Sequence, residues 1–399
     1  QAEAVDAVRE AVSAAVTRRM VADVPLGALL SGGIDSSIVC ALMCRAAGDP
    51  AAVRTFSAGF AEGRFDERPY ARRVAEHLGT RHAEVLIEPD AASIVDDLVR
   101  QYDEPFGDSS SLSTYLLCRQ VREAVTVALV GDGGDEAFAG YDRHRAMWLT
   151  QHMSCIKGTL ITAGGVLLDS FAPRDEKHPL RRFVRFARGM DAPAALRYLS
   201  YRQLLSLAEL DDLLTDDLAE QINPATGRDW FTHLYEHDCG DSEMRNAQRH
   251  DVLTYLPDDL LVKADIASMA WGLELRSPFL DHHVIELGLA LPDEFKVDRH
   301  RGKRILAAAF GDLLPAEVFD RPKAGFGVPI DTWLRGPLLP TLKETLLDQS
   351  FIDTGWLRRT AIERMIDRHV TGKADHRHPL WALLCLGRWY ALQESRHSE

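Results

Sequence analysis

Short apolar runs alternate with helix-like segments over roughly the first 145 residues. Runs of strand length are bounded by turn residues, and between them apolar residues recur every three or four positions. The predicted strands cover residues 27–30, 53–60, 82–87 and 125–130, and the predicted helices cover 2–20, 67–79, 91–102 and 111–124. This alternation is typical of an α/β protein with a doubly wound, mostly parallel sheet.

From residue 146 onward the pattern is mostly helical, with few strand signals. We therefore expect an α/β part over residues 1–145 and a mainly helical part over residues 146–399. Since no low-complexity linker separates them, the two parts are expected to form one continuous domain.

A glycine loop, Ser31-Gly32-Gly33-Ile34-Asp35-Ser36-Ser37, follows the first predicted strand. Glycine lets the backbone approach an anion, and the N–H groups at a helix start point toward it. The loop therefore predicts a phosphate or pyrophosphate site. Asp35 would repel a bare phosphate, so its presence indicates a Mg²⁺ ion that bridges carboxylate and phosphates. The alternative is an ordinary capped turn between strand and helix.

A second glycine-rich loop, Gly131-Asp132-Gly133-Gly134-Asp135-Glu136, follows the fourth predicted strand. Ligands of parallel sheets bind beyond the carboxyl ends of the strands, so both loops are expected to face one cleft. Asp135 is the predicted partner of Asp35 on Mg²⁺, because two carboxylates with phosphate oxygens and waters suit octahedral coordination. On its own, this loop is more typical of a solvated turn, and the presence of the first loop reverses that preference.

Two lysines farther along the chain lie beside glycine or proline. Lys303 follows Gly302, and Lys323 lies within Arg321-Pro322-Lys323-Ala324-Gly325-Phe326-Gly327-Val328-Pro329. A cation on such a loop can close over a nucleotide and stabilise the charge that develops on a transferring phosphate. The alternative for each is a solvated surface lysine.

Composition excludes several classes of protein. The formal net charge of −14 argues against general nucleic-acid binding, which favours a basic surface. The near-uncharged run at 158–168 is too short to span a bilayer, and no secretion signal is visible, so no membrane partner is expected. The six cysteines include no Cys-x-x-Cys pair, which disfavours a zinc site, and the cytoplasm is the expected compartment.

Together these motifs resemble the synthetase domain of glutamine-hydrolysing asparagine synthetases of the asparagine synthetase B type, within the ATP-pyrophosphatase superfamily. The resemblance covers nearly the whole chain and includes Ser268-Met269-Ala270 and Pro278-Phe279-Leu280-Asp281. It implies an adenine nucleotide alpha hydrolase-like fold for residues 1–145, which the helical part completes to form the synthetase site.

The resemblance also implies roles for particular residues. Mg²⁺ would lie between Asp35 and Asp135. Lys323 matches a catalytic lysine, Lys303 a second lysine that contacts phosphates, and Asp132 an acid that helps to receive the amine. A family member with Glu at that position has one methylene more than Asp132. The implied ATP-binding residues are Leu30, Ser31, Gly32, Gly33, Asp35, Ser36, Ser37, Ser57, Ala58, Val130 and Gly131.

The implied activity is that of an AMP-forming carbon–nitrogen ligase of asparagine biosynthesis. The side-chain carboxylate of aspartate would attack MgATP to give β-aspartyl-AMP and pyrophosphate, and ammonia would then displace AMP. The main alternative is the same adenylation of another carboxylate, as in amidation of secondary metabolites or sugars, or in peptide or β-lactam cyclisation. A tRNA thiolase or NAD synthetase and a non-catalytic nucleotide-binding subunit are the more distant alternatives.

Ammonia supply is a separate question for this chain. The family carries an N-terminal glutaminase domain that begins with a catalytic cysteine, whereas this chain begins at Gln1. We therefore expect the chain to be a piece of a longer protein, with glutamine-derived ammonia supplied by a missing domain or a partner. A homodimer is compatible with the resemblance.

Overall fold

A parallel sheet is the framework of the structure. The computed structural model describes residues 1–60, 62–87, 91–153, 161–165, 167–168, 178–237, 240, 242–321 and 327–398. The sheet has the strand order β3-β2-β1-β4-β5, and every neighbouring pair is parallel. Its strands are β1 (Leu26–Leu29), β2 (Arg54–Gly59), β3 (Arg81–Leu86), β4 (Val127–Leu129) and β5 (Glu274–Arg276).

Helices make up most of the remaining regular structure. Those with defined ends are α1 (Ala2–Arg19), α2 (Ile34–Ala47), α3 (Arg68–Leu78), α4 (Ala91–Tyr102), α5 (Ser110–Arg122), α6 (Gly134–Ala137), α7 (Asp142–Gln151), α8 (Pro179–Arg188), α9 (Ala194–Arg202), α10 (Leu207–Leu213), α11 (Asp216–Ile222), α12 (Ala225–Glu236), α13 (Glu243–Leu253), α14 (Val262–Met269), α15 (His282–Ala290), α16 (Asp293–Lys296), α17 (Arg304–Phe310), α18 (Ala316–Asp320), α19 (Ile330–Arg335), α20 (Leu339–Leu346), α21 (Gln349–Asp353), α22 (Arg359–Val370) and α23 (Arg377–Ser398).

The predicted fold class is confirmed, since the protein is α/β with a parallel sheet. The first four strands and the helices between them lie within a few residues of their predicted bounds. Gly79 ends α3 with a φ of 75°, the left-handed conformation that favours glycine at a helix end. The fifth strand was not predicted, because three residues of mixed exposure are too short to show a period. Its pairing with β4 is a tertiary contact.

Two compact units divide the chain, and neither is continuous in sequence. The first consists of Gln1–Pro89, Ser110–Arg145 and Gln248–Val328, and the second of Asp90–Ser109, Ala146–Ala247 and Pro329–Glu399. All five strands and every described residue of the predicted site belong to the first unit. The expected change of character between residues 145 and 146 stays a prediction.

The helix that follows the first loop is buried around its whole circumference. Nine consecutive residues of α2, from Ser36 to Cys44, are buried. Those from Ile38 to Cys44 share one hydrophobic core with the inner faces of α1 and α17. A helix that is apolar on all sides belongs in a core rather than on a surface. The core therefore fixes the start of α2 and, with it, the glycine loop.

Asp281 links the end of α1 to the start of α15. Its Oδ2 accepts hydrogen bonds from Arg18 at 2.7 Å and Arg19 at 3.0 Å, and its Oδ1 accepts one from the His283 backbone N–H at 3.1 Å. The side chain is only 7% exposed. Burial raises the pKa of Asp281, but the hydrogen bonds from Arg18 and Arg19 outweigh it and bring the pKa down to about 2.

Asp281→Asn should therefore destabilise the protein in a pH-dependent way. Because the folded pKa of about 2 lies below the usual value, the stabilisation is present above about pH 4 and is lost as the pH falls toward 2. We expect a loss of about 2 kcal/mol in the free energy of unfolding at pH 7, shrinking below pH 4. Urea unfolding at several pH values measures it.

Asp312→Asn is the matched control, because this carboxylate is 51% exposed and pairs with Arg9 at the surface. The Asp312→Asn substitution should lower the free energy of unfolding by less than about 1 kcal/mol. Equal losses in the two variants, or a loss from Asp281→Asn that does not change with pH, would contradict the assignment.

Candidate active site

The two predicted loops lie at the centre of the sheet. β1 and β4 are neighbours at the point where the strand order reverses. In open parallel sheets, ligands bind beyond the carboxyl ends of the strands at this point. The chain leaves β1 through Leu30–Gly33 into α2 and leaves β4 through Val130–Gly133 into α6. The fold therefore places both loops at the position where such sheets hold their ligands.

Glycines bring the two loops into direct contact. A Cβ atom on Gly131 would lie 2.8 Å from the Cβ of Asp35, and one on Gly134 would lie 2.6 Å from Asp35 Oδ1. Real Cβ atoms do not approach other atoms this closely, so a larger residue at either position would push Asp35 away. The second loop thus needs its glycines for the contact as well as for the turn.

Hydroxyl groups hold the first loop in shape. Ser36 Oγ accepts a hydrogen bond from the Ser31 backbone N–H at 3.2 Å and lies 3.0 Å from Ser31 Oγ. The Gly33 N–H donates to Ser31 Oγ at 3.3 Å. Gly32 has a φ of 72°, and a Cβ there would lie 2.6 Å from the carbonyl carbon of Tyr70. The loop is preformed, with Ser37 fully buried beneath it.

Lys303 connects the two loops. Its Nζ donates to Asp35 Oδ2 and contacts Asp135 Oδ1 at 2.6 Å. The side chains of Lys303, Asp35 and Asp135 are 8%, 16% and 20% exposed. Burial alone lowers the pKa of Lys303, but the attraction of Asp135 and Asp35 outweighs it, and the pKa is raised. The three predicted residues therefore form one charged cluster with a permanently protonated ammonium group.

Close backbone packing carries Lys303 to this position. A Cβ on Gly302 would lie 2.3 Å from the Ala139 carbonyl oxygen, and one on Gly140 would lie 2.1 Å from Lys303 Cε. Lys303 itself has a φ of 53° and Ala139 a φ of 55°. These left-handed conformations are strained for residues other than glycine, and such strain concentrates at functional sites.

The arrangement of Asp35 and Asp135 suits a magnesium ion. Both carboxylates reach the same ammonium group, so both can also reach one cation. Mg²⁺ prefers oxygen ligands and is usually held by one or two carboxylates together with substrate phosphates. The donor set beside the glycine loop therefore fits Mg²⁺ bound together with a phosphate chain.

Two fully buried residues, Gln248 and Lys296, form hydrogen bonds that hold α6 in place. Gln248 Nε2 donates to the carbonyl oxygens of Glu136 at 2.8 Å and Ala137 at 3.2 Å. Lys296 Nζ donates to Gln248 Oε1 at 2.9 Å, which fixes the orientation of the amide. Sequence reasoning missed both residues, since each lies alone in a helical segment without a motif.

A polar cluster continues on the other side of α6. The Tyr141 hydroxyl donates to the buried Glu136 carboxylate, and burial raises the pKa of Tyr141 well above its usual value. The Arg143 guanidinium lies 3.6 Å from the Tyr141 ring centroid and donates to Asp251 at 2.8 Å. These contacts hold Glu136, the last residue of the second loop, and the segment that follows it.

Asp132, in the second loop, is influenced electrostatically by Lys263. Burial raises the pKa of Asp132, the positive charge of Lys263 lowers it, and the negative charge of Asp135 raises it. The pKa of Asp132 is raised overall. Lys263 lies in α14, directly after π-helical turns over Leu256–Leu261. Such turns are frequent at functional sites. Lys263 was not predicted, although it is the only charged residue in the run Leu260–Ala264 and its position there is the available signal.

The remaining predicted ATP-binding residues line the carboxyl edge of the sheet. Leu30 N–H donates to Phe56 O at 2.7 Å, and Val130 N–H donates to Arg276 O at 2.9 Å. Ser57 Oγ lies 3.0 Å from His82 Nε2, and Ala58 is buried beside it. Lys323 falls outside the described residues, so its predicted role stays a prediction, as do the roles of the other site residues.

The sheet order and the loop after β1 are typical of nucleotide-binding α/β proteins. The family model described as asparagine synthase matches residues 7–394. The chain therefore belongs to the asparagine synthase family, as the resemblance of its motifs predicts.

Individual relatives agree with the family. A putative asparagine synthetase [glutamine-hydrolyzing] of Mycobacterium tuberculosis is 33% identical, covering 97% of this chain and 57% of the relative. Asparagine synthetase [glutamine-hydrolyzing] 1 of Bacillus subtilis is 28% identical, over 96% of this chain and 59% of the relative. Amidase chry2 of Gibberella zeae is more distant, at 24% identity over 92% of this chain and 58% of the relative. The chain thus spans somewhat more than half the length of these relatives.

Within the described ranges, no helix has the length and apolar character needed to cross a membrane.

Lys303→Met should destabilise the protein strongly. It leaves two partly buried carboxylates facing each other without their cation, and breaking such a pair costs about 3 kcal/mol. Urea unfolding without added nucleotide or divalent ions measures this loss. Lys303→Arg keeps the positive charge and should lower the free energy of unfolding less than Lys303→Met does. Lys343→Met, which removes an exposed lysine, is the control. A Met variant as stable as the wild type would show that the cluster contributes nothing to folding.

Proposed function

We propose that the protein is an ATP-dependent, amide-forming ligase that adenylates a carboxylate and transfers ammonia to it. The observation that carries the proposal is the convergence of Asp35, Asp135 and Lys303 beside the Ser31–Ser37 loop. Aspartate is the proposed acceptor, which is supported by family membership and by relatives named asparagine synthetase.

In the first step, an oxygen of the acceptor carboxylate attacks the α-phosphorus of ATP, and the bond to the β-phosphate oxygen breaks. The chain contributes charge compensation and positioning rather than a nucleophile. Backbone N–H groups of the glycine loop bind the departing pyrophosphate, and Lys303 and Lys323 offset its charge. Asp35 and Asp135 would hold Mg²⁺, which would supply neutralisation of phosphate charge when bound.

In the second step, ammonia attacks the acyl carbon, AMP leaves, and the nitrogen loses a proton. Asp132 is the proposed acceptor of that proton. Its raised pKa supports this role, because a general base works best when its pKa approaches the working pH. The positive charge of Lys263 opposes the effect of burial on the pKa of Asp132 and so favours the ionised form, which can accept the proton.

Adenylation of a different carboxylate is the second candidate. It is favoured by the distant relatives named amidase chry2 and amidase chyE, at 24% and 26% identity.

The nitrogen source is a related question. The names of the relatives support glutamine, from which a glutaminase domain or partner would have to release ammonia. Free ammonium can replace that source in an assay of this chain.

Omission of single substrates tests the proposal. AMP and pyrophosphate release from MgATP should require aspartate, and asparagine should form only when ammonium chloride is also present. Ion-pair chromatography separates the products. Turnover with another carboxylate but not with aspartate would favour the second candidate. If no carboxylate leads to AMP formation, the proposal that the protein is an adenylating ligase is wrong.

Lys323→Ala should abolish adenylation and leave ATP binding intact. The lysine is proposed to stabilise charge that develops only in the transition state, so its loss should act on kcat rather than on binding. Calorimetric titration with MgATP and single-turnover AMP formation separate the two effects. Lys343→Ala, on the surface of α20, is the control. An equal loss of binding and rate would contradict this role of Lys323.

A further inference from the structure

Arg321 holds the carbonyl group of Ser31, the first residue of the glycine loop. Its Nη1 donates to the Ser31 carbonyl oxygen at 3.0 Å, and its Nη2 donates to Glu67 Oε1 at 3.3 Å. Its guanidinium carbon lies 3.8 Å from the centroid of the Tyr70 ring. The side chains of Arg321 and Glu67 are only 11% and 9% exposed. A planar group that stacks and donates in two directions fits this position, whereas a lysine ammonium group does not.

The backbone of Arg321 is fixed as well. Its N–H donates to the Glu317 carbonyl oxygen at 3.1 Å, at the end of α18. Val318 and Phe319 of α18 belong to the same hydrophobic core as α2, the helix that begins in the glycine loop. One core therefore supports both the arginine and the loop that it contacts.

The hydrogen bond from Arg321 sets the direction of one peptide group. The Ser31 carbonyl and the Gly32 N–H belong to the same planar trans peptide, so they point in opposite directions. Gly32 has a φ of 72°, and glycine adopts positive and negative φ about equally. Because glycine gives this peptide little preference of its own, the bond from Arg321 decides which way the Gly32 N–H points.

The Gly32 N–H is available to a ligand. Gly32 is buried, and among the described residues its N–H has no hydrogen-bond acceptor. By contrast, the Gly33 N–H donates to Ser31 Oγ at 3.3 Å, and the Ser37 N–H donates back to the Gly33 carbonyl oxygen at 3.1 Å. A buried backbone N–H without an acceptor is rare and costly, so we expect this one to find its acceptor on a bound anion.

We propose that Arg321 is a positioning residue that holds the Ser31–Gly32 peptide with its N–H directed at bound pyrophosphate. The inference rests on the proposed function, in which the glycine loop binds this leaving group. The charge of Arg321 is paired with Glu67, so the arginine acts through the peptide and not by attracting phosphate. If the peptide turned over, the loop would present the Ser31 carbonyl oxygen to the anion and repel it.

Calorimetric titration with magnesium pyrophosphate tests this role. Arg321→Met should weaken binding by about 10- to 100-fold, because the loop loses a hydrogen bond to a charged group. Binding of AMP, which lacks the β- and γ-phosphates, should change by less than about threefold. Arg359→Met, an exposed arginine paired with Glu363 on α22, is the control. Equal losses for the two ligands, or unchanged pyrophosphate binding, would overturn the proposal.

A paired substitution separates peptide direction from charge. Arg321→Met leaves Glu67 without this cation, and the carboxylate would itself repel pyrophosphate. The double variant Arg321→Met with Glu67→Gln removes that charge and should bind pyrophosphate as weakly as Arg321→Met. Recovery of wild-type affinity in the double variant would overturn the proposal. If Arg321→Met does not fold, Arg321→Lys serves the same comparison, with an expected loss of about threefold or more because the planar group is absent.

Nuclear magnetic resonance observes the peptide directly. Ser31-Gly32 is the one Ser-Gly pair in the sequence, so carbonyl-¹³C serine and ¹⁵N glycine, incorporated by cell-free synthesis, give a single correlated amide signal. The Gly32 proton should move downfield as magnesium pyrophosphate binds the wild type, and it should not do so at equal saturation in Arg321→Met. An equal downfield shift in the variant, or no shift in the saturated wild type, would overturn the proposal.

The outcomes for this inference and for the proposed function are distinguishable. The expected shift and loss of affinity without AMP formation on any carboxylate would support the role of Arg321 and overturn the ligase. AMP formation by the wild type with unchanged pyrophosphate affinity in Arg321→Met would support the ligase and overturn the role of Arg321. If the wild type does not bind pyrophosphate, both the role of Arg321 and the proposed function of the glycine loop are wrong.

Discussion

The arrangement of the site depends on one ammonium group held between two carboxylates. Lys303 joins Asp35 and Asp135, although Lys303 and Asp35 are 268 positions apart in the chain. Partly buried charges are costly unless they are paired, so each partner is stable there only because the others are present. The glycines at 131, 134, 140 and 302 allow the approach, because a Cβ at any of them would collide with the opposite segment.

Two supports hold the flanks of this cluster, and the first of them is fully buried. On the β4 side, Gln248 binds the carbonyls of α6, with Lys296 orienting its amide. On the β1 side, Arg321 and Tyr70 hold the backbone of the first loop. Groups fixed in this way need no reorganisation when charge develops on a substrate. The cost is local strain, such as the left-handed conformations of Ala139 and Lys303.

The proposed adenylation would account for the charges that the first unit concentrates at one sheet edge. Adenylation asks the protein to neutralise a departing pyrophosphate and to align an acceptor, and neither task needs a protein nucleophile. Handling of ammonia is a separate task, and in the proposed mechanism it involves Asp132 with Lys263. The choice of acceptor is a property of side chains that the fold does not dictate.

The sequence alone determined the parallel α/β class, the loops that follow β1 and β4, and the acids they carry, because these depend on local period and turn chemistry. Tertiary structure alone decided the rest. β5 is too short to show a period, and it is a strand because it pairs with β4. Gln248 and Arg321 gain their roles from contacts with residues more than 100 positions away, and Lys296 gains its role from a contact with Gln248, 48 positions away; no local pattern encodes these contacts. Lys303 stands out in sequence only as a lysine beside a glycine, and the fold makes it the centre of the site.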